Sequence, residues 1–442
     1  MPDPALDDLL ARATDAVTLS QKHGASGVFA WANRSRNVST QWRDGALEKV
    51  EESTSRGLSL ALHVDGRYST HSTTDLRTDR LNSFVTEAVA LTRALQPDPF
   101  RALPDPALYE GRSAVDLELR DDAVLALDPA ARSALCASMD ARLHGKAKVV
   151  SATSWTSDGQ DMGAGASSNG FSGAWESTNL WYGADVTLAE GEDKRPEESA
   201  WVGGRFLGGL PLAESVADDA LARALLRLGA TKGPTFEGTL VVDPRVTGRL
   251  VGAVLRAASA RSVQQGRSFL AGKGGKKLFS ELFTLTDDPL RPRGLGSRPF
   301  DGEGIAARPL PLVESGVLRN LYVDTYYGKK SGMNPTTGGA SNVVLSPGTQ
   351  DLSALIATAG KGLYLTSWLG GNSDDATGDF SFGLRGHLIE GGKIGAPVSE
   401  MNVTGNLADL FSRLVAVGDA PFPYTSMLVP ALVFQDVQFS GV

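Results

Sequence analysis

The sequence predicts an α+β fold: an N-terminal part mixing helices with an antiparallel sheet, and a β-rich, barrel- or sandwich-like C-terminal part. Three observations carry this. Glycine is abundant at 50 residues while aromatics make up 7%, which favours strands and tight turns over a helical bundle. Asp44-Gly45 and Asp65-Gly66 are turn signals, and the second sits between two alternating runs, the strongest short-range hairpin signal. Helical periodicity is confined to a few segments, most of them in the first half.

Residues 4–22 read as an amphipathic helix, with Leu6, Leu9, Leu10, Ala13 and Val17 at helical spacing and Gly24 as a stop. Strands are expected at 27–31, 55–63 and 67–71. A second helix covers 79–95, and a proline-rich connection follows through Pro97, Pro99, Pro104 and Pro106. A third helix starts after Asp128-Pro129 and ends near Gly145. Strands return at 148–155 and 181–188, with a small-residue, flexible stretch expected at 163–170. Residues 213–228 read as helix. The composition shifts at 229–234, placing the domains at 1–230 and 231–442. A strand at 238–242 opens the second domain, a helix is expected over 244–261, and short strands follow, ending in the apolar run 427–434.

The chain has 442 residues, with 43 Lys+Arg against 51 Asp+Glu and a net charge of -8. A hydrophobic content of 41% with 21% charged residues suits a soluble globular protein. The acidic balance gives no reason to expect nucleic-acid binding, which needs a basic face. Cys136 is the single cysteine, so an internal disulfide and a cysteine-rich metal site are excluded. The acidic N-terminus lacks signal-peptide character, and no run approaches the roughly 18 apolar residues of a membrane span. A cytoplasmic location is expected, which makes the sequons at Asn33, Asn37 and Asn402 chance matches.

Motifs for independent chemistry are missing. HExxH, which needs two imidazoles on one helical face, is absent, and residues 244–261 contain neither His nor Glu. Lys273 lies in a glycine-rich stretch whose spacing fails the phosphate-loop pattern and reads as a solvated loop. Around Ser167, Asn169 stands where a nucleophile elbow needs its second Gly. Cys136, inside a helix among Ala134, Leu135 and Ala137, reads as an inert buried thiol. His387 has no sequence-local partner and reads as a surface or turn-proximal residue. Asp287-Asp288, and Asp374-Asp375 with nearby Asp379, read as loop and turn acids. The unusual segment is 368–383, where Gly370, Gly371, Gly378 and Gly383 accompany Asn372, Ser373, Thr377 and Ser381. It suits capture of an extended main chain beside a sheet edge, and equally a turn-dense barrel rim.

Blocks spread through the chain in one order resemble the TldD/PmbA family, specifically its PmbA (TldE) branch. They are 51–67 with 72–76, Ser168-Asn-Gly170, 299–304, 312–318, Thr377-Gly-Asp-Phe-Ser-Phe-Gly-Leu-Arg-Gly386, 389–393, 397–400 and Gly405-Asn-Leu407. The resemblance implies a two-domain fold and a cytoplasmic peptide-processing assembly. In it a TldD-type subunit carries zinc on HExxxH plus a later Cys, and a PmbA-type subunit pairs with it and lacks that site. Here the corresponding helix reads Val251-Gly-Ala-Val-Leu-Arg256, and Cys136 is too early to be the third ligand. Without clustered imidazoles, neither carbonyl polarisation nor a bound water of lowered pKa is available.

The expected function is therefore that of a non-catalytic subunit. It would hold no cofactor itself and would pair with a zinc-carrying TldD-like HExxxH chain acting on unfolded peptides or modified peptide precursors. The substrate-binding candidates are Thr377, Gly378, Asp379, Phe380 and Ser381, placed near the shared cavity. Two alternatives stand beside this reading. One is a homodimeric peptide-binding scaffold without a protease partner. The other is hydrolysis at an unrecognised site using Asp374, Asp375, Asp379 or His387.

Overall fold

The computed structural model describes residues 4–442. The N-terminal part is built on one six-stranded antiparallel sheet. Its elements are α1 (Pro4–Lys22), β1 (Gly27–Arg43), β2 (Ala46–Val64), β3 (Arg67–Thr73), α2 (Thr78–Arg93), α3 (Asp122–Leu125), α4 (Pro129–Leu143), β4 (Val149–Ser167), β5 (Ser172–Leu188), β6 (Glu197–Gly204) and α5 (Ala213–Leu226). The strand order is β3-β2-β1-β4-β5-β6. Period-two alternation sends Val28, Ala30 and Ala32, Leu58, Leu60 and Leu62, and Met162, Ala164 and Ala166 to one face. There they meet the apolar stripes of α1 and α2. Farther along the same face Leu180, Tyr182, Ala184 and Val186 pack on α4 and α5. The helices thus cover one side of the sheet.

Residues 46–56 of β2 stand out. They pair with β1 on one side, while β3 begins to pair only at Leu58. Both faces of this stretch are exposed, with Leu47 at 52% and Val50 at 56%. Among the described residues, no strand lies against its outer edge.

The second part contains β7 (Thr231–Lys232), β8 (Phe236–Val242), α6 (Gly248–Ala257), α7 (Ala260–Gln264), β9 (Leu285–Asp287), β10 (Leu310–Glu314), β11 (Val317–Leu318), α8 (Thr325–Ser331), β12 (Val343–Leu345), α9 (Leu352–Thr358), β13 (Lys361–Ser373), β14 (Asp379–Glu390), β15 (Lys393–Asn406), α10 (Leu407–Ser412), β16 (Leu414–Pro421), β17 (Met427–Leu428) and β18 (Pro430–Ser440). Its larger sheet runs β16-β18-β8-β13-β14-β15-β7. Pairing of β18 with β15 closes β18-β8-β13-β14-β15 into a ring. The expected β-rich, barrel-like part is thus present. Phe382, Phe411, Phe434 and Phe439, all fully buried, fill its core. Among the described residues, no helix is long and apolar enough to cross a membrane.

Several local expectations change. The stretch expected to be flexible at 163–170 is strand as far as Ser167, because neighbouring aromatic rings fill the space its glycines leave open. The helix expected over 244–261 breaks at Ala258, and Ser259 caps α7 by accepting from the Ser262 amide. His387 is not a surface residue. It is 5% exposed inside β14, its Nε2 sits 3.1 Å from the Leu226 carbonyl at the end of α5, and burial lowers its pKa. Asp287 is not a turn acid either. It is buried in β9 and accepts from the Ser341 amide at 2.6 Å and hydroxyl at 2.9 Å. Asp288 and Asp374 do serve turns, accepting from the Leu290 and Ala376 amides. Cys136 is buried as expected, and burial pushes its thiol up to about 11.

Candidate functional site

The sheet face opposite the helices forms the floor of a cleft of about 880 Å³, whose other wall is the loop 295–302. Register explains its chemistry. Residues of odd number in β1, β4 and β5 share this face, and their pairing sets Trp31 opposite Gly165, Ser35 opposite Asp161, Asp161 opposite Ser177, and Gly163 opposite Trp175. A glycine beneath each large ring lets the indole lie flat on the backbone. A Cβ at Gly165 would run into Trp31, and one at Gly203 into Trp181.

The result is a polar lane bordered by rings. Asp161, Ser177 and Asn179 form the lane within the cleft, and Ser35 donates to Asp161. On one side stand Phe29, Trp31, Trp175 and Phe300, with Trp31 6.5 Å from Trp175 and 6.1 Å from Phe300 between ring centres. On the other stands Trp181, 5.7 Å from Trp201. The loop wall is tied down. Asp301 accepts from the Glu303 and Ile305 amides, the Thr337 hydroxyl and the Gly338 amide. Arg298 donates to the Gly339 carbonyl and Arg205 to the Leu295 carbonyl. Behind this wall Glu303 accepts from the Thr325 amide and hydroxyl, both at 2.9 Å. Burial pushes its carboxyl up to about 7, and Asp301 and Asp324 add to the effect.

The residues singled out in the sequence lie elsewhere, at the tip of the β13–β14 hairpin. Thr377 and Gly378 form its turn, and Asp379 pairs with Asn406 of β15, whose side-chain amide donates to it at 2.9 Å. Phe380 is buried in the barrel, while Asp379 and Ser381 are exposed. None of the five lines the cleft. Asp374, Asp375 and Asp379 gather at this tip, whereas His387 is far along β14 and does not join them.

Helix α6 buttresses the same hairpin. Val251, Ala253 and Val254 are buried against the barrel. On the open side Arg249 donates to the Gly370 and Gly371 carbonyls at 3.0 and 2.7 Å and lies 4.5 Å from the Phe382 ring. Arg256 bonds Ser373 and Asp375. This helix offers cations where a zinc site needs imidazoles and carboxylates, so its donor set does not fit the metal. Among the described residues, no three His, Cys, Asp or Glu side chains are placed to hold one.

The cleft went unseen in the sequence because its parts come from positions 29–302. The available signal was the repeated Trp and Gly at alternate strand positions, and it acquires meaning only with the register.

Comparison with known proteins gives a consistent result. Residues 235–441 match the PmbA/TldA metallopeptidase C-terminal domain, and residues 32–92 match domain 1 of the same family. The chain is 27% identical to the metalloprotease PmbA homolog of Haemophilus influenzae, covering 96% of this chain and 94% of that one. It is also 27% identical to metalloprotease PmbA of Escherichia coli O157:H7, over 94% and 93%. A Bacteroides thetaiotaomicron protein, crystallised under a provisional designation as a modulator of DNA gyrase, superposes with a TM-score of 0.94 at 36% identity, covering 98% of both chains. TldE from Thermococcus kodakarensis shares the fold, with a TM-score of 0.87 at 18% identity over 97% and 100%.

Proposed function

The chain belongs to the PmbA/TldD metallopeptidase family, and from that premise we propose that it is the non-catalytic, TldE/PmbA-like subunit of a heteromeric zinc metalloprotease. Its companion is a TldD-like HExxxH chain that supplies zinc, and the assembly degrades unfolded peptides or matures modified peptide precursors. One observation carries the reading: α6, the helix that the family resemblance sets at the HExxxH segment, turns Arg249 and Arg256 to the open side and spends them on clamping a hairpin. A hydrolytic zinc ion needs about three protein ligands and an open position, and cations there would repel it.

What the chain contributes is surface. The clamped tip from Thr377 to Ser381 has its main chain paired with β13 and β15, so what it offers an extended peptide is the exposed side chains of Thr377, Asp379 and Ser381. The unpaired edge of β2 at 46–56 offers main-chain groups for a strand of the companion. The test is to purify the chain alone and together with a HExxxH subunit, measuring zinc content and peptide turnover for each. Chelator-sensitive turnover only in the mixture is expected. One equivalent of zinc with turnover by the isolated chain would overturn the proposal, and a stable homodimer that ignores the HExxxH chain would favour the scaffold alternative.

A further inference from the structure

We infer that the ring-lined cleft binds the free amino terminus of an extended peptide carrying an aromatic or large apolar side chain near that end, with Asp161 as the partner of its ammonium group. This rests on the peptide-handling reading above and adds a ligand class and a recognition group.

Two carboxylates, Asp161 and Asp301, line the cleft. Asp301 is consumed, its two oxygens accepting four hydrogen bonds from its own loop and from Thr337 and Gly338. Among the described residues, Asp161 accepts only from the Ser35 hydroxyl and, at 3.4 Å, from the Asn179 side chain. Among the described residues it forms no ion pair with Lys, Arg or His within 4.0 Å. A carboxylate has about four acceptor positions, so it retains room for a charged donor. That donor would arrive between rings. Trp175 and Trp31 flank the lane, and indole faces attract an ammonium group within about 6 Å of the ring centre. Those rings are half-buried rather than sealed in the core, so a side chain entering the cleft gains apolar contact from Phe29, Trp31 and Phe300.

The arginines set the direction. Arg205 and Arg298 also line the cleft, and both spend donors on loop carbonyls without a carboxylate partner. Arg205 feels the charge of Asp161 but donates to the Gly294, Thr178 and Leu295 carbonyls, so the acceptor positions of the carboxylate stay open. Against the guanidinium groups themselves a carbonyl oxygen is favoured over a cation, while the ammonium group is held by the carboxylate. The arrangement therefore takes the amino end at Asp161 and runs the carbonyls of the following residues toward the arginines. Asn179 and Ser177 offer neutral hydrogen bonds along the way.

The cleft tryptophans supply the readout. The isolated chain is titrated with Phe-Ala-Ala-Ala in three forms: free at both ends, N-acetylated, and C-amidated. Saturable change of tryptophan emission by the free peptide is expected, with acetylation weakening binding about 10- to 100-fold, as for loss of a charge-assisted hydrogen bond. Amidation should change it less. Asp161→Asn should bring the free peptide to the level of the acetylated one, and Trp31→Phe should reduce the emission change. Equal binding of free and acetylated peptide, a larger loss on amidation than on acetylation, or no saturable change with any form would each overturn the inference. If Asp161→Asn does not fold, the comparison of acetylated and free peptide on the unaltered chain decides alone. No companion subunit is present, so failure here leaves the zinc-partner experiment untouched, and failure there leaves this one standing.

Discussion

Arg132 and Asp158 make a two-pronged ion pair on the helix side of the sheet. Nε donates to Oδ1 at 2.6 Å and Nη2 to Oδ2 at 2.8 Å, with the side chains only 4% and 2% exposed. The pair fastens α4 to β4, three residues from Asp161 on the opposite face. Asp158→Asn keeps the shape and removes the charge, leaving a guanidinium buried without its counter-ion. Breaking a buried pair from one side costs about 3–5 kcal/mol. At about 2–4 °C per kcal/mol for a unit of 150–250 residues, the transition of the N-terminal part should drop by about 6–20 °C. Tryptophan emission is the assay, since Trp31, Trp155, Trp175 and Trp181 all belong to this sheet. Arg132→Met combined with Asp158→Leu removes both charges, and most of the loss should return. A single-variant loss below about 1 kcal/mol, typical of exposed pairs, would refute the reasoning. So would a double variant as unstable as the single one.

Three more outcomes are expected. Glu303 titrates near 7 in the folded chain against an ordinary 4.5, so between those values the folded state holds a proton that the unfolded state has released. Stability should therefore fall by about 3 kcal/mol as pH rises across that window and then level off; urea midpoints at about pH 5 and about pH 8 measure it, and Glu303→Gln should flatten the profile. Arg249→Ala frees the Gly370 and Gly371 carbonyls, and limited proteolysis within 370–381 should quicken at least about tenfold, the effect of about 1.4 kcal/mol on local opening; an unchanged cleavage rate would show that the clamp contributes nothing. Gly203→Ala drives a methyl group into the Trp181 ring, which should cost about 1–3 kcal/mol and shift the emission maximum, with a thermal melt as the check.

The fold was legible where local chemistry decides it. Helices at 4–22, 79–95 and 213–228 and the turn at Asp65-Gly66 announced themselves through period and turn residues. What the sequence concealed depends on pairing. His387 looks solitary in one dimension, and only the packing of β14 on the end of α5 gives it the Leu226 carbonyl. Asp287 and Asp288 look alike, yet strand alternation buries the first and leaves the second in a turn. Arg249 and Arg256 could be recognised as an absence of metal ligands, but not as a clamp, because their partners lie more than 100 residues away. The cleft is the extreme case, since its floor exists only once β1, β4 and β5 are in register.

The bare outer margin of β2 has a consequence for how the chain keeps company. Main-chain groups left open along a strand invite indiscriminate stacking and fibre growth. Here Glu48, Lys49, Glu51 and Glu52 crowd that margin, with Arg43 holding Glu48 and Arg36 holding Glu52. Such charges act as gatekeepers: they turn away greasy strands and admit only a sequence that answers them ion for ion. Adhesion at this margin should accordingly weaken as added salt shortens the reach of those charges to about 3 Å at 1 M, while the barrel, held by buried phenylalanines, should not notice.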